Sequence, residues 1–126
     1  MSEAGRYLKN AKEILCKVPI EDNIYTDIKP VREACGTAYL AILMAIDEYL
    51  INKGIDKKNL PRSVDGYRNM LRKYLIIHNG KLLKGFEALY KELHIAGYYR
   101  GNLYSVDMIK AAMRDAKTFI DKIKVT

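Results

Sequence analysis

Apolar residues recur at alternating intervals of three and four along almost the whole chain, and this spacing lines them up on one side of a helix. The pattern appears five times, while period-two alternation is nearly absent, so the sequence predicts helices and no sheet. In the first segment, Ser2 to Val18, the stripe is Ala4, Leu8, Ala11, Leu15 and Val18. Ser2 or Glu3 can serve its start, and Pro19 stops it by removing a donor and clashing with the preceding turn. Ile20 to Thr26 reads as a loop.

The second segment is the longest. Asp27 is its expected N-cap, and Pro30 falls in the first turn, where a missing N–H does no harm. Val31, Cys35, Ala38, Ile42, Ala45 and Tyr49 form one stripe, and Tyr39, Leu43, Ile46 and Leu50 form a second beside it. A helix apolar on most sides belongs at the centre of a bundle. Ala34, Gly36, Ala38, Ala41 and Ala45 let neighbours approach closely, and Gly54 suits the position just past the end.

Ile55 to Arg62 is a basic connector. Ser63 caps a third helix carrying Val64, Tyr67, Leu71, Tyr74 and His78, and Asn79-Gly80 punctuates the chain. Whether the third and fourth segments form two helices or one bent helix is left open by that single signal. The fourth runs from about Lys81 to Ala96 with Leu82, Phe86, Leu89 and Leu93. Gly97 to Tyr104 reads as a linker. Ser105 caps a closing helix whose stripe is Val106, Ile109, Met113, Ala116, Ile120 and Ile123. Its other face, Asp107, Lys110, Arg114, Asp121 and Lys124, reads as solvated.

At 126 residues the chain fits one domain, residues 1–126, and is long enough to bury a core without metal or disulfide. The expected fold is all-α: an up-and-down bundle of four to five helices around the second. The N-terminus lacks the layout of a signal peptide, and the longest unbroken apolar run, Ala38 to Ile46, is far short of the ~20 residues that cross a bilayer. A cytoplasmic protein with no membrane partner is expected.

The net charge of +7 is concentrated. Residues 1–55 carry seven basic and eight acidic side chains, residues 56–86 eight and two, and residues 87–126 seven and five. The excess therefore sits on the connector and the helices after it, with Lys57, Lys58, Arg62, Arg68 and Lys73 as its binding candidates. Such a patch attracts RNA phosphates or an acidic protein surface; its bland reading is a solubilising face. No helix-turn-helix, zinc-finger or RNA-binding aromatic motif accompanies it.

Tyr98, Tyr99, Arg100 and Tyr104, flanked by Gly97 and Gly101, form the most unusual composition. Their structural reading is a tight connection whose rings cover the end of the bundle. Their functional reading is a contact for a small ligand or partner helix, with Arg100 facing an anion. Cys16 and Cys35 read as small buried hydrophobes kept reduced. His78 reads as a packed or interfacial histidine, and His94 as a group suited to a helix end. Asp47 lies beside an apolar stripe; solvation or pairing with Lys53 is the expectation, partial burial the alternative. No metal-ligand spacing, nucleophile elbow or phosphate-cradling loop is present, so neither metal nor cofactor is expected.

The long small-residue helix Ala34 to Leu50, the connector, and the closing helix Ser105 to Ile123 together resemble the HEPN helical bundles. Leu93-His-Ile-Ala-Gly-Tyr-Tyr-Arg-Gly101 also resembles a small bacterial family of uncharacterised helical proteins, a similarity that runs the length of the chain. Many HEPN proteins are ribonucleases or toxin components, and others only bind or dimerise. Arg72-Lys-Tyr-Leu-Ile-Ile-His78 has the spacing of their Arg-x(4–6)-His motif, so the resemblance implies Arg72 and His78 as a catalytic pair. The residues themselves favour a non-enzymatic interaction protein that self-associates as a homodimer. The alternative is a HEPN-like ribonuclease, or an RNA- or nucleotide-binding protein, of a toxin–antitoxin type system.

Overall fold

The computed structural model describes residues 2–74 and 80–125. Helices dominate, as the periodicity predicts: α1 (Glu3–Cys16), α2 (Ile28–Asn52), α3 (Val64–Tyr74), α4 (Lys81–Leu89) and α5 (Val106–Lys124). The expected caps are in place. Ser2 accepts from the Gly5 N–H, Asp27 from Lys29, Ser63 from Gly66 and Ser105 from Met108. Each such bond occupies a donor that the first turn leaves without an intrahelical partner, and is worth about 1 kcal/mol. Gly54 stands just past α2 at φ 94°, donating to the Ile51 carbonyl. Gly80 precedes α4 at φ 76°. The third and fourth segments are therefore two distinct helices.

α2 is the axis of the bundle and packs chiefly on α1, α5 and the chain after α4. Its two apolar stripes account for this position. Val31, Ala34, Cys35, Ala38, Ile42 and Ile46 have no exposed surface at all. Ala4 and Ala11 of α1 are equally closed, so two small-residue faces meet. By length and hydropathy α2 could cross a bilayer, a property the nine-residue run does not reveal. Here that apolar surface is spent on the neighbouring helices. Phe86, Leu93 and Ile109 complete the centre, each at 0% exposure. Apart from tyrosines, no polar or charged residue among the described residues is buried.

Two segments depart from the sequence expectation. The loop between α1 and α2 contains a small antiparallel hairpin, β1 (Ile20–Glu21) and β2 (Ile24–Tyr25). Its two-residue turn, Asp22-Asn23, has φ of 51° and 63°, the left-handed geometry that matches strand twist and that Asp and Asn tolerate. Such a short hairpin is not stable alone. It is held by the start of α5: the Tyr25 N–H donates to the Tyr104 carbonyl, and the Val106 N–H to that of Asn23.

The second departure is that the helix does not end at Ala96. It continues from α4 as a π-helical segment, Tyr90–Tyr99, closed by the Arg100 N–H donating to the Ile95 carbonyl at 2.8 Å. Long π-helices are rare because their backbone packs poorly on its own axis. Here neighbouring side chains supply what the backbone lacks.

Candidate functional site

The π segment carries an aromatic ladder. Phe86, Tyr90, His94 and Tyr98 follow one another at every fourth position, with successive ring centroids 6.5, 5.5 and 5.9 Å apart and near-parallel planes. In an α-helix every fourth residue drifts about 40° around the axis. The wider π turn drifts the other way, so the change of helix type keeps the rings together. Tyr39 of α2 stacks on His94 at 4.8 Å and lies within 6.5 Å of both Phe86 and Tyr90. Offset ring pairs of this kind are each worth about 0.5–1.5 kcal/mol beyond the area they bury.

Two glycines and an arginine seat this segment on α2. Gly97 lies directly against Cys35; a Cβ on Gly97 would fall 2.5 Å from the Cys35 sulfur. Tyr98 lies over Gly36, where an added Cβ would meet its ring at 2.8 Å. The Arg32 guanidinium then closes the segment's end, donating from Nε to the Tyr98 carbonyl and from a terminal nitrogen to that of Tyr99, both at 2.9 Å. The planar fork suits two adjacent carbonyls that a helix end leaves unpaired. The side chain lies across Gly101, at φ 62°.

The tyrosine cluster is thus split. Tyr98 forms the last rung of the ladder and remains half exposed, Tyr99 points outward at 70% exposure, and Tyr104 lies beside the hairpin at 47%. Arg100 is exposed at the C-terminal end of the segment. An open, mostly apolar groove of about 540 Å³ is lined by His94 and Tyr98 of the π segment and by Tyr39, Leu40 and Leu43 of α2, with Glu33 and Thr37 also on its lining. Leu40 stands at its rim, 48% exposed.

The basic segment is divided as well. Arg68 is engaged within the fold: it pairs with Glu87 at 2.5 Å and Asp65 at 2.8 Å, and its guanidinium lies 5.2 Å from the Tyr90 ring. Lys73 lies over Tyr74. Lys57 and Lys58 sit on a short 3₁₀ turn, Lys57–Asn59, with Arg62 after it, and all three are exposed. Arg72 is exposed on α3 and donates to Asn69 at 3.2 Å. His78, six positions after Arg72 and the other residue of the expected pair, lies outside the described residues.

Asp47 and Cys16 differ from the sequence expectation, while Cys35 follows it. Asp47 is half-buried and accepts from the Tyr67 hydroxyl with both carboxylate oxygens, at 3.0 and 3.3 Å. Burial raises its pKa, the Tyr67 bond opposes that, and neighbouring Glu48 adds to it. Sequence spacing carries no sign of the Tyr67–Asp47 pair, because the two residues sit on different helices. Cys35 is buried as expected, and burial, with Glu92 nearby, pushes its thiol up to about 12. Cys16 is exposed, one position beyond the buried Leu15 on α1. Both thiols are free. Among the described residues no group of three or more His, Cys, Asp or Glu could hold a metal ion.

The sequence matches the family model of the domain of unknown function DUF5618 over residues 1–125. The chain belongs to that family. As a DUF5618 protein it is also similar to a solved structure, a protein of unknown function from Dyadobacter fermentans. The two share 34% identity and superpose with a TM-score of 0.79, over 96% of this chain and 90% of the other. No curated protein matches the sequence. The DUF5618 match covers every described element, from the Ser2 cap to the end of α5.

Proposed function

We propose that this DUF5618 protein is a non-enzymatic helical interaction module that acts as a homodimer. The observation that carries the reading is the groove beside Leu40. An aliphatic side chain half in water, at the rim of an open apolar cleft on the central helix, favours covering by another surface. Because Leu40 and the cleft belong to one patch, two copies about a two-fold axis can each place a leucine in the other's cleft. This isologous arrangement closes on itself. The aromatic walls provide the kind of anchor that dominates association energies.

Equilibrium sedimentation of the full chain tests this. A dimer at micromolar concentration that dissociates in Leu40→Glu, with unchanged circular dichroism, is the expected result. A wild-type monomer at high micromolar concentration, or a dimer indifferent to the substitution, would overturn it.

A second reading has a specific observation behind it. Lys57, Lys58 and Arg62 are exposed together on one connector and make no ion pair among the described residues. They suit a phosphate backbone held without base readout. RNA affinity that falls steeply from low to moderate salt, and falls further on replacing these three by glutamine, would favour this role. Salt-insensitive binding would count against it.

A further inference from the structure

A second groove, of about 390 Å³, lies on a different face, between α1, the hairpin and α5. Its size falls in the range of small-molecule sites. Three of its properties point to one kind of occupant.

The first is its apolar lining. Leu15 and Val18 from the end of α1, Ile20 from β1 and Met113 from α5 line it. Ile20 is 54% exposed, although it belongs to a strand held against the body of the protein. No carboxylate and no side-chain amide contributes. The second is its charge. Lys12, Lys110 and Arg114 line the same groove. Lys12 stands one turn before Leu15 and Cys16; Lys110 stands one turn before both Met113 and Arg114, so each helix presents a cation beside its apolar residues. None of the three takes part in an ion pair or hydrogen bond among the described residues. The third is Tyr25. Only 5% of this residue is exposed, yet its hydroxyl has no hydrogen-bond partner among the described residues. Every fully buried side-chain oxygen or nitrogen among the described residues is satisfied, so the Tyr25 hydroxyl is not fully buried and meets solvent from a groove wall. Burial, with lesser contributions from Cys16 and Cys35, raises its pKa further above neutrality.

We propose that this groove binds a small amphipathic carboxylate, its hydrocarbon body against Leu15, Val18 and Met113 and its head group among Lys12, Lys110 and Arg114, with the Tyr25 hydroxyl as a donor. Apolar floor, uncompensated cations and a hydroxyl donor open to the groove together match that chemistry. A nucleotide fits poorly, because its sugar and base would lie on a floor with no amide or carboxylate to read them. A neutral lipid would leave three cations and a hydroxyl unanswered.

The test uses the full ¹⁵N-labelled chain titrated with decanoate below its micelle concentration. Saturable binding is expected, with amide shifts confined to residues 12–26 and 105–116. Decanoate should also slow alkylation of Cys16, whose side chain lines the groove. Decanol should bind at least about tenfold more weakly, and decyltrimethylammonium more weakly still. The surface double substitution Lys110→Gln with Arg114→Gln should raise Kd about tenfold while leaving the fold unchanged, and Tyr25→Phe should raise it by a smaller factor. Absence of saturable binding at millimolar decanoate, equal affinity for decanol, shifts centred on Leu40 and Tyr98, or an unchanged Kd in the double variant would each overturn the proposal.

Discussion

Gly97 and Cys35 touch across the interface between the π segment and α2 so closely that no side chain fits between them. The neighbour is a Cβ and sulfur on a fully buried helix face, which cannot swing away. Gly97→Ala should therefore push the two helices apart and cost about 1–3 kcal/mol, as overpacking does. Gly36→Ala is the informative contrast. Its added Cβ meets only the half-exposed Tyr98 ring, which can rotate outward. Urea denaturation should show a large loss for the first and less than about 1 kcal/mol for the second.

Arg32 is expected to matter for helix termination rather than for charge. Arg32→Ala removes two bonds to the Tyr98 and Tyr99 carbonyls and should destabilise by about 1.5–3 kcal/mol, with the lower end favoured by their exposure. Arg32→Lys should recover only part of this, because an ammonium does not span both carbonyls. Hydrogen exchange at residues 99–103 should speed up in both variants, more in the alanine one.

The Asp47–Tyr67 pair predicts a pH dependence. Burial raises the Asp47 pKa, so folding favours its protonated form. Its contribution is fully present below the unfolded carboxylate pKa of about 3.9 and is lost as pH rises through the folded value. Asp47→Asn keeps an acceptor for the Tyr67 hydroxyl without a charge. Relative to wild type, this variant should gain stability at pH 7, and the gain should shrink as pH falls through the carboxylate range. A gain that is constant with pH would refute the assignment.

The two thiols should separate cleanly by reactivity. Cys16 is exposed, whereas Cys35 is closed off beneath Gly97 and its thiol is pushed up to about 12. Native protein treated with a maleimide at pH 7 should take up one equivalent, at Cys16, and a second only after denaturation. Mass spectrometry of the peptides reads this directly.

The apolar stripes marked all five helices, and Ser or Asp residues at their starts marked the caps, with Ser2 or Glu3 left open at the first, because each signal lies within one element. The failures share the opposite property. Ser105 is legible as a cap, but that the hairpin would settle on its neighbours is not, since the contact joins Asn23 and Val106. The Asp22-Asn23 turn was present in the chain, yet flanking strands of two residues give no alternation to read. The π continuation depends on Cys35, Gly36 and Arg32, all on another helix. The same holds for the groove beside α1. Lys110 and Arg114 look like an ordinary solvated face until α1 brings Lys12 and Leu15 opposite them.

The hairpin joins residues far apart along the chain: Asn23 donates to the Asp107 carboxylate across 84 positions. Closing so long a loop is entropically costly, while α1 and α2 can assemble from near neighbours. The strand pair is therefore expected to become ordered after the last helix docks, and it acts as a latch between the α1–α2 connection and the start of α5. A ribosome-bound chain that has not yet released α5 would hold the first two helices but leave that latch undone.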